Sequence, residues 1–368
     1  MPGDAGDLAG APPKLSALAT LVRLGLIGLV VLVAVAAFAY AGGWLSPDRL
    51  TQGRIMSAFD AQNGRHPGFR RNHAKGICAT GWFESSGTAA SLSKAALFAP
   101  GRVPVIGRIA FAGGMPFVPD DAAMVRSLAL RFLPAGAEEW RTGMLNIPVF
   151  AVATAQAFYE LLLASTPDPG TGKPDPAKMQ AFAGAHPEFL AAVGLIKANP
   201  VSSGFADATY NALHVFRFVN AAGVSTPVRW SAVPVQPVAA APASGDKNGL
   251  FDALITEVAK HPVQWRLMIT VGQPGDPTNP TLPWPADRPQ VDAGMVTIDQ
   301  LSSEEGGPCT DVNYDPLVLP AGIEPSDDPI LSARSAAYAR SFTLREGERG
   351  AKPPSAVTPQ EVRAGGKS

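Results

Sequence analysis

The sequence predicts an α+β domain built around an antiparallel β-barrel or sheet, preceded by one transmembrane helix. Three observations carry this. An uncharged apolar run, LGLIGLVVLVAVAAFAY, covers Leu24–Tyr40. Short segments rich in β-branched and aromatic residues, punctuated by Gly, Pro and Asp, dominate the stretch after it. Apolar residues three and four apart then take over in the middle of the chain and again near its end. Composition agrees. A content of 46% apolar and 17% charged residues is a globular balance. With 36 prolines and 37 glycines in 368 residues, loops and short strands are favoured over long helices. The formal net charge of -1 offers no electrostatic case for a nucleic-acid partner.

With the flanking AGGWL, the apolar run reaches the roughly 20 residues that cross a bilayer. Lys14 and Arg23 precede it and Trp44 suits the far interface, so the positive-inside rule places the N-terminus in the cytoplasm. A cleaved signal peptide is the rival, with AFA and AYA as small-residue sites. The run is longer than a usual signal core, which favours a retained anchor. The expected organisation is a cytoplasmic segment over 1–23, an anchor over 24–45, a main domain over 46–345 and a disordered polar tail over 346–368. That makes a single-pass protein of the inner membrane with its domain on the periplasmic side.

SPDRLTQGRIMSAFDAQNG reads as an amphipathic lead-in. Strands are expected in the second half of HPGFRRNHAKGICATGWFESS, then in RVPVIGRIAFAGG, AMVRSLALRFL and WRTGMLNIPVFAVAT. TAQAFYELLLAST and DPAKMQAFAGAHPEFLAAVGLIKA show helical spacing. Strands return in ATYNALHVFRFVNAAG and TPVRWSAVPV, and VAAAPASGDKNG is a low-complexity loop. LFDALITEVAKH is a helix and QWRLMITVG a strand. GDPTNPTLPWPADRPQVDAG is irregular and MVTIDQL is a last strand. DDPILSARSAAYARSF is a helix, its Asp residues favouring the start.

The two cysteines, Cys78 and Cys309, form no CxxC, which argues against structural zinc. They leave a disulfide open alongside two separate small core residues. Of five histidines, His66, His186 and His261 precede proline and read as turn residues. His214, mid-strand in NALHVFRFVN, reads alone as a core histidine, and His73 in RRNHAKG as a surface or pocket one. Arg334 and Tyr338 stand four apart and share a helix face. A guanidinium beside a phenol favours the phenolate, which is a ligand for ferric iron. Taken alone, the pair reads as an ordinary packed tyrosine beside a surface arginine.

The pair does not stand alone. HAKG, PVIGR, NIPVF, FRFVNAAG, WPADRPQVDAG and GIEPSDDPILSARSAAY follow one another between about residues 65 and 345. In this order and content the chain resembles the haem catalases, and most of all the catalase-related peroxidases, a shortened catalase core often carrying an N-terminal export or anchor segment. The resemblance implies a catalase-like antiparallel β-barrel with packed helices and a haem b cofactor. It implies Tyr338 as the iron ligand, with Arg334 holding it as phenolate. His73 would be the distal acid/base. Arg70, Arg108 and Arg345 would clamp the haem propionates, Phe158 would stack on the porphyrin, and His214 would support the proximal side. In the implied reaction His73 takes a proton from the near oxygen of a peroxide and returns it to the departing one. The partners implied are hydrogen peroxide or an organic hydroperoxide, an unnamed electron donor and the membrane. A homodimer stays open.

Two positions depart from the catalase pattern. Leu145 stands where catalases carry a distal Asn, three residues before Pro148, and Asn146 comes one place late. Ala110 stands where they carry a Ser that buttresses the distal His. Both replace a polar group with an apolar one, so the expectation is a haem peroxidase with weak catalase activity. The alternatives are a non-catalytic haem sensor or carrier, and a lipid-peroxide isomerase resembling the allene oxide synthases.

Overall fold

A computed structural model of the chain describes residues 16–45, 49–238, 246–350 and 353–365. It divides into two compact units, Met1–Thr51 and Gln52–Ser368. The described part of the first unit is dominated by helix α1 (Ala17–Ala41). The Ser16 hydroxyl caps it, accepting from the Ala19 N–H at 3.2 Å. No residue of α1 is buried, and the mean hydropathy of its most apolar stretch is 2.6. The helix is long and apolar enough to cross a membrane, and it has no polar face to offer water. It starts ahead of the expected anchor and takes in Arg23, whose long stem can carry its charge toward an interface. Lys14 and the rest of the N-terminal segment up to residue 15 lie outside the described residues, as do residues 239–245 of the low-complexity loop.

The second unit opens with α2 (Gln52–Asn63) and is built on β1 (Gly76–Ser85), β2 (Gly101–Phe111), β3 (Arg126–Phe132) and β4 (Trp140–Leu145). After α3 (Ala155–Ala164), α4 (Pro176–Ala185) and α5 (Pro187–Ala198) come β5 (Tyr210–Asn211), β6 (Phe216–Val219) and β7 (Ser225–Pro234). Then follow α6 (Gly249–Lys260), β8 (Val263–Val271), β9 (Gln290–Ser302), β10 (Ile323–Pro325), α7 (Pro329–Glu348) and α8 (Pro359–Gly365). Strands pair in the order β7-β5-β4-β3-β2-β1-β9-β8, and β8 returns to β7. The antiparallel ring is thus a closed barrel, which leaves no long open edge. β6 and β10 extend the sheet from β7.

Alternation along the strands divides their side chains between two environments. Leu128, Leu130 and Phe132 of β3 go into the barrel core, where Trp140 stacks on Phe132 with centroids 5.0 Å apart. The intervening Ser127 and Ala129 line a cavity outside the barrel wall. Strand register sets two rows on that outer face. One runs Cys78, Arg108, Ala129, Gly143 and the next Gly76, Ala110, Ser127, Leu145. Gly76 has to be glycine, because a Cβ there would lie 2.5 Å from the Arg108 guanidinium.

Three local expectations change. β4 ends at Leu145 instead of running on through Val149. The long helical stretch after α3 breaks into α4 and α5 at Pro187, whose ring cannot continue a helix. The segment expected as a disordered tail is folded over 353–365. There Ala356 and Val357 are 2% and 0% exposed, and α8 begins with a capping box. Thr358 N–H donates to Glu361 Oε2 at 2.6 Å while Glu361 N–H donates to Thr358 Oγ1 at 3.3 Å. Residues 351–352 and 366–368 lie outside the described residues. The Cys78 and Cys309 sulfurs are joined in a disulfide, which ties β1 to the loop after β9.

Candidate active site

Helix α7 supplies one wall of a cavity of about 330 Å³. Its start is built by Asp328, whose Oδ1 accepts from the Ile330 N–H at 2.9 Å, and by Pro329, whose missing N–H costs nothing in a first turn. The other oxygen of Asp328 lies 2.6 Å from His214 Nδ1, so the cap also anchors the helix to the segment before β6. One turn in, Arg334 Nη2 donates to the Tyr338 hydroxyl at 3.4 Å. Gly143 of β4 faces that phenol, and a Cβ there would meet the hydroxyl only in ordinary contact, 3.8 Å away.

His73 faces the same cavity from the turn before β1. Its φ of 58° is the only positive one among the described non-glycine residues. Such a conformation costs on the order of 1–3 kcal/mol and persists only where the surroundings enforce it. Here the Asn72 side-chain oxygen accepts from the N–H groups of His73 at 3.0 Å and Gly113 at 2.7 Å. Two residues on, buried Lys75 donates to Asp120 Oδ1 at 2.6 Å, to the Val118 carbonyl at 2.8 Å and to the carbonyl of Lys247. Burial, then the Arg108 and Arg334 guanidiniums, push the His73 imidazole down to about 3. It is therefore neutral at ordinary pH and able to accept a proton.

Arg70, Arg108 and Arg345 line the cavity together with these residues. Arg108 is held by Glu304, Nε to Oε1 at 2.8 Å and Nη2 to Oε2 at 2.7 Å. Arg70 donates to the carbonyls of Val312 at 3.2 Å and Cys309 at 3.1 Å. Burial, then Arg108 and Arg345, lower Arg70 to about 9. Burial is also the first cause that lowers Arg345. Aromatic surface is supplied by Phe150 and Phe158, whose rings lie 5.7 Å apart.

All eight residues singled out in the sequence therefore line one cavity: Arg70, His73, Arg108, Phe158, His214, Arg334, Tyr338 and Arg345. His66, His186 and His261 do not; His66 contacts the Asn63 carbonyl and His186 pairs with Glu160. Leu145 lines the cavity, and Asn146 does not take over from it. The Asn146 side-chain oxygen is committed to the Arg126 N–H at 2.6 Å. Sequence reasoning missed Asn72, Glu304 and Ser127. Ser127 stands in register between Ala110 and Leu145 and is the hydroxyl nearest to those two apolar positions in the strand rows. Nothing in its sequence context, an ordinary strand serine, marks it.

A family model described as Catalase matches residues 67–362. The chain belongs to the catalase family. Within it, the chain is a catalase-related peroxidase, an oxidoreductase acting on peroxide. A catalase-related peroxidase from Synechococcus elongatus is 40% identical over 333 residues, covering 88% of this chain and 96% of that protein. One from Mycolicibacterium paratuberculosis is 32% identical over 321 residues, covering 85% and 99%. Among solved structures, a bacterial catalase superposes with a TM-score of 0.66 at 20% identity over 75% of this chain. Catalase A from Saccharomyces cerevisiae gives 0.66 at 18% identity, again over 75% of this chain and 61% of its own. The chain spans 57% of that bacterial catalase, so the kinship with full-size catalases is one of the core.

Proteins of the catalase family bind haem, and the cavity meets the needs of that group. Tyr338 and His73 both line it, five arginines line it with them, Arg70, Arg108 and Arg345 among these, and aromatic rings form part of its wall. Five buried polar atoms on its lining residues lack a hydrogen-bond partner: Arg70 Nε, Arg71 Nε, His73 Nδ1, His214 Nε2 and Arg345 Nη2, of which Arg71 Nε has the Asp60 carboxylate 2.8 Å away. Buried polar atoms are seldom left unpaired without a reason, and a polar ligand is one.

Proposed function

We propose that this catalase-related peroxidase binds haem b with Tyr338 as the iron ligand and uses His73 as the distal acid/base. It reduces hydrogen peroxide or organic hydroperoxides at the expense of an electron donor. The observation that carries this reading is the Arg334–Tyr338 contact in the same cavity as a neutral His73 and three arginines. Arg334 donates to the Tyr338 hydroxyl and so fixes where that oxygen stands in the cavity. Arg70 and Arg345 would offer guanidinium donors to two propionates, and Arg108, whose Nε and Nη2 are held by Glu304, would add its charge. Phe158 flanks the ring, and His214, through Asp328, steadies α7.

The chemistry a bound haem supplies is two-electron cleavage of a peroxide O–O bond at its iron. The chain's own part is to move one proton. His73, uncharged, would accept it from one oxygen of the peroxide and deliver it to the other, which leaves as water or alcohol. Weak catalase activity follows from Leu145 and Ala110, which offer no polar group to hold a peroxide beside His73, and from the commitment of Asn146 elsewhere. Helix α1 anchors the domain in the inner membrane on its periplasmic side, where the Cys78–Cys309 disulfide is stable.

Two measurements test this. The haem-loaded protein should show a ferric Soret band that Tyr338→Phe abolishes or shifts. Its oxygen release from hydrogen peroxide should be slow relative to its peroxide-dependent oxidation of a dye. An unaltered spectrum removes Tyr338 as ligand, and rapid oxygen release overturns the peroxidase assignment.

A further inference from the structure

Glu304 sits in the turn after β9, in the acidic stretch SSEEGG. In the fold its side chain is 7% exposed. Both carboxylate oxygens are given to Arg108, and Oε1 lies 3.5 Å from Arg70 Nε. Burial alone would favour its neutral form. The charges of Arg108, Arg70 and Arg345 outweigh burial and hold Glu304 below the usual carboxylate range, so it is an anion.

The loop around Glu304 is fixed at several points. The Ser303 hydroxyl donates to the Val357 carbonyl at 2.7 Å, the Thr310 hydroxyl donates to the carbonyl of Glu304, and Cys309 is bonded to Cys78. The same loop supplies the Cys309 and Val312 carbonyls that orient Arg70. Cys78 stands opposite Arg108 across the β1–β2 pairing, so the disulfide pins the loop beside the arginine that Glu304 holds.

We propose that Glu304 is the built-in counter-ion of the arginine cluster, a positioning residue that orients Arg108 and Arg70 and reduces the cluster from three charges to two, the number carried by two propionates. The inference rests on the haem reading above. Three buried guanidiniums with no anion would repel one another and bear a large desolvation cost. One carboxylate removes part of that cost and leaves a net charge matched to the ligand. The donors still without a hydrogen-bond partner, Arg70 Nε and Arg345 Nη2, belong to the two arginines that Glu304 does not engage directly at hydrogen-bond distance.

The test is a haem titration of the full-length apoprotein in detergent, together with apoprotein melting curves, for four variants. Glu304→Gln should lower the apoprotein melting temperature and raise the haem dissociation constant by about tenfold or more, as expected for loss of one member of a buried charge cluster. Glu304→Asp keeps the charge and should bind haem more tightly than Glu304→Gln. Arg345→Met alone should weaken haem. Adding Glu304→Gln to Arg345→Met leaves two arginines for two propionates and should leave haem binding equal to, or tighter than, that of Arg345→Met. An equal loss on adding Glu304→Gln in both backgrounds shows a merely structural role and overturns the proposal, as does no loss in either. If Glu304→Gln alone does not fold, the comparison between Arg345→Met and the double variant still decides. Failure of the unmutated protein to bind haem overturns the haem reading itself, an outcome distinct from unequal or equal behaviour of the variants.

Discussion

Arg71 joins the two walls of the cavity, and removing its charge should loosen both. The residue lies two before His73 and is 5% exposed. Its guanidinium donates to Glu348 at the end of α7, at 2.6 and 2.9 Å, and lies 2.8 Å from Asp60 on α2. Since α7 carries Tyr338, the Arg71–Glu348 pair sets how the tyrosine helix sits against the histidine turn. The hydrogen bond from Arg71 is the largest cause that holds Glu348 down to about 2, against 4.5 for a free side chain. That difference corresponds to roughly 3 kcal/mol. Glu348 is 11% exposed and has Arg65 and the Gly68 N–H as further partners, so screening and partial compensation bring the effect of losing Arg71 to about 2 kcal/mol.

Arg71→Met keeps the apolar stem and removes the charge. Full-length protein in detergent should then melt about 3–5 °C lower at pH 7, followed by circular dichroism. The sign with pH is definite. The folded-state value of Glu348 is depressed, so its stabilisation is complete above the unfolded value and is lost as pH falls toward about 2. The gap between the unmutated protein and Arg71→Met should therefore shrink below about pH 4. Glu348→Gln should cost a similar amount, and the two changes together should cost less than their sum. An equal melting-temperature loss at pH 7 and pH 3, or strict additivity, would refute the reasoning.

Other outcomes follow from the cavity. Tyr338→Phe keeps the ring volume and removes the oxygen 3.4 Å from Arg334, so the apoprotein should melt nearly unchanged while the Soret band is lost or shifted; an unaltered band counts against the ligand assignment. Leu145→Asn places an amide on the cavity wall and should raise oxygen release from hydrogen peroxide about tenfold or more. An unchanged rate would show that peroxide is not limited by that position. His73 is held at about 3, so the rate of its reaction with peroxide in stopped flow should be flat between about pH 5 and 8 and fall only toward pH 3. An acid limb near pH 6.5 would contradict its burial beside Arg108 and Arg334. The same depression means that the unfolded chain takes up a proton below about 6.5 that the folded chain refuses, so this histidine subtracts stability as pH falls through that range.

The long apolar helix, the strand-rich first half and the helical face shared by Arg334 and Tyr338 were all legible in the sequence, because each is encoded within a few residues. Apolarity on every side of a run, Gly and Pro punctuation, and a four-residue spacing need no knowledge of distant neighbours. The same local logic could have found α8, since Thr358 and Glu361 form a capping box in plain view. The segment reading of HAKG through RSAAY also marked the eight residues that meet in the cavity, although no spacing in the chain says that His73 and Tyr338, so far apart in sequence, share it.

What only the tertiary structure decided lies in contacts between residues far apart in the chain. Glu304 drew no attention in the sequence and is the partner of Arg108, because the turn after β9 is carried beside β2 by the barrel register and the disulfide. Asn146 looked like a near miss for a distal amide, and its backbone position turns it to Arg126. The side on which a strand residue falls, and the charge that meets it there, depend on pairings between segments that may be hundreds of residues apart. Sequence by itself determined which chemistry this protein carries; the closing of the barrel decided which groups neutralise, orient and strain it.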